Sequence, residues 1–101
     1  MESDETIMRI RVRGRVQGVG FRAFVQTEAI ARGILGWVRN RRDGDVEAVF
    51  RGRVEAVNAL CDLCRRGPPP ANVEALEISP ADISALMEAD WKGGFLQLAT
   101  L

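Results

Sequence analysis

Apolar and polar residues alternate at the start of the chain: Ile7 leads into Met8, Ile10 and Val12 on one side, with Arg9, Arg11 and Arg13 on the other. A period of two predicts a strand over 7–13 with one buried and one wet face. Residues 14–20 carry three glycines in seven positions and predict a turn. The segment 21–32 holds neither Gly nor Pro, sets Phe21, Phe24 and Val25 at helical spacing, and ends at Gly33, which predicts a helix with a glycine stop. Residues 34–40 read as a second strand, Arg41-Arg42-Asp43-Gly44 as a hairpin turn, and 45–51 as a third strand closed by Gly52.

At 100° per residue, Val54, Val57, Leu60, Cys61 and Cys64 share one arc, opposite Glu55, Asn58, Asp62 and Arg65. That predicts a second helix over 53–66, stopped by Gly67-Pro68-Pro69-Pro70. Residues 73–78 predict a short strand. The stretch 79–90 fits either a short helix starting near Ser79-Pro80-Ala81-Asp82 or a loop, and Lys92-Gly93-Gly94 turns into a last apolar run at 95–98. The order β-α-β-β-α-β with a terminal strand is the split βαβ arrangement. The fold class is therefore α+β, a ferredoxin-like sandwich with a mostly antiparallel sheet and two helices on one face. The expected organisation is a single domain over 1–101, with residues 1–5 disordered.

Composition narrows the chemistry. A chain of 101 residues with 47% apolar and 28% charged residues is globular in type. There is no His and no Tyr. A Ser-His-Asp triad, a Cys-His pair, an HExxH zinc site and a phosphohistidine are thereby excluded. Catalysis must rest on carboxylates, Arg or Lys, Asn or Gln, hydroxyls or main-chain amides. Cys61 and Cys64 fall on the apolar arc of the second helix, and one CxxC without His cannot complete a four-ligand zinc site in a monomer. Both are expected in the core, with no metal and no cofactor. The acidic start lacks an apolar run and no stretch is long enough to span a bilayer, so a cytoplasmic protein is expected.

Formal net charge is zero, yet thirteen of the fourteen basic residues are Arg and they crowd into the first half. Between Thr6 and Arg42 lie nine arginines against the single acid Glu28. Most of these are expected to be solvated. A function is expected only where an arginine meets a special backbone.

Such a place is the loop Gly14-Arg15-Val16-Gln17-Gly18-Val19-Gly20 followed by Phe21-Arg22. Its glycines allow positive φ, so successive N–H groups can form an anion nest at a helix N-terminus. With Phe21 turned to the core, Arg22 can swing over the loop as a phosphate clamp. On these residues alone a glycine-rich connection with a surface arginine is the competing reading. The spacing is neither Walker A nor GxGxxG, which disfavours nucleotide. Asn40 closes the second strand just before a turn, where an ordinary turn residue and a catalytic amide look alike.

Taken together, GRVQGVGFR at 14–22, GWVRN at 36–40 and Asp43-Gly44-Asp45-Val46-Glu47 resemble the acylphosphatase family over nearly the whole chain. The resemblance implies the ferredoxin-like fold, hydrolysis of the carboxyl–phosphate bond of acyl phosphates, and no metal. It implies catalytic roles for Arg22 and Asn40, and a phosphate-binding loop at Arg15, Val16, Gln17, Gly18, Val19 and Gly20 together with Arg22. The expected partner is a small acyl phosphate, with no nucleic acid and no membrane, for a monomeric enzyme. One departure is that Phe95-Leu96-Gln97-Leu98 inverts the charged–apolar alternation with which the family usually ends. Two rivals remain. One is a non-catalytic ferredoxin-like anion- or RNA-binding module; an RNA-recognition sheet would display aromatics on its central strands, where this chain offers only Phe50. A domain of a larger carbamoyltransferase would continue past Leu101, so a free-standing enzyme is expected.

Overall fold

A computed structural model describes residues 4–101. Its elements are β1 (Glu5–Arg15), α1 (Phe21–Ala31), β2 (Leu35–Asn40), β3 (Val46–Arg53), α2 (Val54–Arg66), β4 (Asn72–Pro80), α3 (Ile83–Met87) and β5 (Phe95–Gln97). The strands form one sheet in the order β4-β1-β3-β2-β5, antiparallel except for the parallel pair β2–β5. Among the described residues, no helix is long and apolar enough to cross a membrane.

The alternation along β1 has the expected result. Ile10 and Val12 face α1 and α2 and join a core with Val38, Ala48, Phe50 and Phe95 from the neighbouring strands. Helix α1 contributes Phe21, Val25 and Ala29, and α2 contributes Val57, Leu60, Cys61 and Cys64. Each fully buried large side chain of this set is worth about 1.5–3 kcal/mol over its exposed state.

Two expectations need correction, and one left open is decided. Strand β1 runs from Glu5 through Arg15, and Gly14 lies within it at a shift of register against β4 rather than in the turn. Of the segment 1–5 expected to be disordered, residues 1–3 lie outside the described residues. Glu5 already pairs with Arg53, and the carbonyl of Asp4 accepts the N–H of Val54 at 2.8 Å. Lastly, the open stretch 79–90 contains α3, capped by Asp82, whose carboxylate accepts the N–H of Ser84 at 3.0 Å.

Helix α3 lies on the face of the sheet opposite α1 and α2. There Ala85 and Leu86 cover Trp37 and Val49, and the indole N–H of Trp37 donates to the carbonyl of Ala85 at 3.2 Å. Leu96 and Leu98 pack against the same cluster. The inverted alternation of the last strand follows from this second apolar layer: Leu96 goes under α3, and Phe95 and Gln97 go to the other side.

The rest of that face is charged. Glu47, only 5% exposed, accepts from Arg9 at 2.6 Å, from Arg39 at 3.1 Å and from Arg41 at 3.3 Å. Arg39 is itself buried, 4.5 Å above the ring of Trp37. Arg9 reaches on to Glu88 at 2.8 Å, and its hydrogen bond holds the Glu88 carboxyl below the usual carboxylate range. Arg11 donates to Asp45 at 2.9 Å and to Asp43 at 2.8 Å. The arginine excess of the first half is therefore matched in space by acids from the β2–β3 turn, from β3 and from the end of α3.

Removing one partner from a buried ionic cluster leaves the others uncompensated, which costs about 3–5 kcal/mol. Glu47→Ala should lower stability by that amount in urea unfolding, whereas Glu77→Ala, an exposed acid on β4, should stay within about 0.5 kcal/mol of the parent. Equal midpoints for parent and Glu47→Ala would show that the arginines do not need this carboxylate.

Candidate active site

The loop between β1 and α1 owes its path to two residues in the left-handed region, Gly18 at φ 74° and Gly20 at φ 81°. A side chain at either would meet nothing within 4 Å, so the backbone angle, not space, selects glycine there. Gly20 is also the N-cap of α1 and offers no capping side chain. The first main-chain bond of the helix runs from the N–H of Phe24 to the carbonyl of Gly20, at 3.0 Å. The amides of Phe21, Arg22 and Ala23 therefore start the helix without an intrahelical acceptor, and no acid sits in the first turn. Such an end attracts an anion.

Phe21 turns into the core at 1% exposure, which sends Arg22 the other way, half-buried at the mouth of the loop. Among the described residues Arg22 makes no ion pair, in contrast to Arg9, Arg11, Arg39 and Arg41. Asn40 ends β2 opposite Val46, and its carbonyl accepts the N–H of Leu101 at 3.1 Å. Its side-chain oxygen Oδ1 is buried and has no hydrogen-bond partner among the described residues. A buried acceptor left unpaired costs about 1–3 kcal/mol, which marks Oδ1 as an atom open to a hydrogen bond from a water or a ligand.

Arg22 and Asn40 line one pocket of about 130 Å³, together with Val16, Gly18, Gly20 and Gln97. Of the residues expected in the site, Arg15, Gln17 and Val19 do not line it. Arg15 is the exposed last residue of β1, and Val19 packs against the core. The side chain of Gln17 works elsewhere. Its Nε2 donates to the carbonyl of Arg41 at 2.7 Å and to that of Asp45 at 2.8 Å, across the mouth of the β2–β3 turn. One carboxamide thus ties the glycine loop to the residue that follows Asn40. The side-chain oxygen of Asp43 accepts the N–H of Asp45 at 2.9 Å and shapes the same turn.

Gln97 was not among the expected site residues. The signal for it is the period of two along the last strand, which puts Gln97 on the same side as buried Phe95. A larger concavity of about 290 Å³ lies on the wet face between Arg9, Arg11, Asp45 and Glu47, but its guanidinium groups already face carboxylates. Cys61 and Cys64 are buried in the core, where loss of solvent pushes the Cys61 thiol up to about 11 and raises that of Cys64 further. Neither is a nucleophile at neutral pH.

The sequence profile of one known family, acylphosphatase, matches residues 8–89. An acylphosphatase of Nitrobacter winogradskyi is 47% identical over 97 residues, covering 96% of this chain and 98% of that one. Another, from Rhodopseudomonas palustris, is 54% identical over 82 residues, 80% of this chain and 83% of the other. Among solved structures, that of an acylphosphatase from Coxiella burnetii superposes with a TM-score of 0.78 at 32% identity and covers 93% of each chain.

The Gln17 cross-link generates its own test. Gln17→Leu keeps the volume and removes both bonds to main-chain carbonyls, which should cost about 1–3 kcal/mol of stability. Urea unfolding measures this directly, and an unchanged midpoint would mean that the loop is held by other contacts.

Proposed function

Because the chain belongs to the acylphosphatase family, whose enzymes cleave acyl phosphates to carboxylate and inorganic phosphate, we propose that Arg22, the amides of residues 15–20 and Asn40 carry out that reaction here. The observation that carries the assignment is the pairing, in one small pocket, of an arginine without a carboxylate and a buried amide oxygen without a donor.

The chemistry needs little else. A carboxylate is a good leaving group, so no general acid has to protonate it. The transition state for phosphoryl transfer is loose, with charge spread over three phosphoryl oxygens that fixed donors can match. The forked guanidinium of Arg22 supplies two such donors, and the free amides of the loop and helix end supply others. The roles of Arg15, Gln17 and Val19 in this scheme belong to their main-chain amides. Asn40 accepts a hydrogen of the attacking water through Oδ1 and aims it in line with the scissile bond. Being neutral, it does so without repelling the phosphate, as an aspartate would. The water proton passes to a phosphoryl oxygen, so the scheme needs neither histidine nor a metal ion.

Hydrolysis of benzoyl phosphate, followed by ultraviolet absorbance, tests the scheme on two sides. Excess EDTA should leave the rate unchanged. Arg22→Lys keeps the charge but loses the fork, and should lower kcat/KM by about 10²–10³-fold. Activity that vanishes with chelator and returns with a divalent ion would refute the metal-free scheme, and a fully active Arg22→Lys would remove the clamp.

A further inference from the structure

With Arg22 given to the phosphoryl group and Asn40 to the water, Gln97 is the polar side chain of the pocket that still has no role. Its carboxamide is held in place. Gln97 Nε2 donates to Oε1 of Gln26 at 2.8 Å, and Gln26 Nε2 donates in turn to the carbonyl of Phe95 at 2.8 Å. The amide is thus tied, through one other side chain, to the main chain of its own strand.

The elements that carry this pair also place it. Gln26 stands four residues after Arg22, one turn further along α1 on the same stripe. Gln97 pairs in register with Val38, two residues before Asn40 and on the same face of the sheet. Gln97 therefore lines the end of the site away from the glycine loop, and Gln26 holds it there from outside the pocket. With one N–H of Gln97 bonded to Gln26, its Oε1 and its second N–H have no partner among the described residues. A phosphoryl group at the loop and Arg22 leaves this end for the acyl half of the substrate, and a pocket of about 130 Å³ suits a short one.

We propose that Gln97, oriented by Gln26, determines acyl-group specificity: it hydrogen-bonds a polar substituent beside the reacting carbonyl and so favours acyl phosphates bearing a hydroxyl there over hydrocarbon ones. The proposal rests on the acylphosphatase reading of the site and adds a substrate class to it. A hydroxyl on the carbon next to the carbonyl donates to Gln97 Oε1, whereas a methylene in its place leaves that acceptor to water. Because Gln97 is solvent-exposed, the advantage is modest, about 3–10-fold in kcat/KM.

The test compares 2-hydroxypropanoyl phosphate with propanoyl phosphate, which differ by one hydroxyl, on the parent chain and on Gln97→Leu. The hydroxyl also makes the acid a better leaving group, so the quantity to read is how the ratio of the two kcat/KM values changes between proteins. Measured on one preparation, that ratio is independent of the folded fraction. It should fall by about 3–10-fold in Gln97→Leu. Gln26→Leu, which frees the Gln97 amide from its anchor, should move it in the same direction. Equal ratios in the parent and Gln97→Leu, with both substrates turned over, would overturn the specificity role and leave the hydrolase standing. A parent chain that hydrolyses neither substrate would overturn the reading on which the proposal rests.

Discussion

Two hydrogen bonds from one side chain fix the spacing on which the site depends. Gln17 sits in the glycine loop and donates to the carbonyls of Arg41 and Asp45, which flank the β2–β3 turn. Arg22 follows from the loop on one side of this tie, and Asn40 immediately precedes Arg41 on the other. The N–H of Arg41 also donates to the carbonyl of Asp45 at 2.8 Å, so the turn that receives Gln17 is itself closed. A clamp and a water-orienting amide are useful only at a fixed separation, since about 1 Å of misplacement can cost two orders of magnitude in rate. Here that separation is set by a loop without regular structure. The cross-link to a strand end replaces the rigidity that secondary structure would give.

The charged face of the sheet serves the site from behind. Glu47 gathers Arg9, Arg39 and Arg41, while Asp43 and Asp45 gather Arg11, so these four guanidinium groups are neutralised on the face of the sheet away from α1. Arg22 is on the helix side, with no acid in its helical turn. Among the described residues, Arg22 is the arginine that lines the pocket, and it is backed by a helix end.

Much of this was legible in the sequence because local signals and tertiary placement agree. The alternation at Ile10 and Val12, the arc of Val57, Leu60, Cys61 and Cys64, and the stop at Gly67 each describe a residue's own neighbourhood, and each element formed where its period indicated. The loop glycines were readable for the same reason. What escaped were long-range effects. The stretch 79–90 fits a short helix and a loop equally well by its own residues. It becomes α3 because Trp37 and Val49 offer it a surface that a one-sided reading of the sheet does not supply. Gly14 looked like the start of a turn because a bulge inside a strand depends on the partner strand. The anchoring partners of Gln17 are main-chain carbonyls more than twenty residues away and leave no trace in composition. Gln97 entered the pocket through the register of β5, which the second apolar layer determines.

The kinetics of Asn40→Ala, with inorganic phosphate as competitive inhibitor and thermal unfolding alongside, distinguish a water-orienting amide from a turn residue. Among the described residues, Oδ1 of Asn40 has no partner, so its removal breaks no hydrogen bond seen there and should leave the Tm close to that of the parent. A water-orienting amide predicts a fall in kcat of about 10²-fold or more with the phosphate inhibition constant nearly unchanged, because phosphate binding does not use the water. Near-normal turnover accompanied by a lower Tm would contradict this, and would make Asn40 a residue of the turn and not of the reaction.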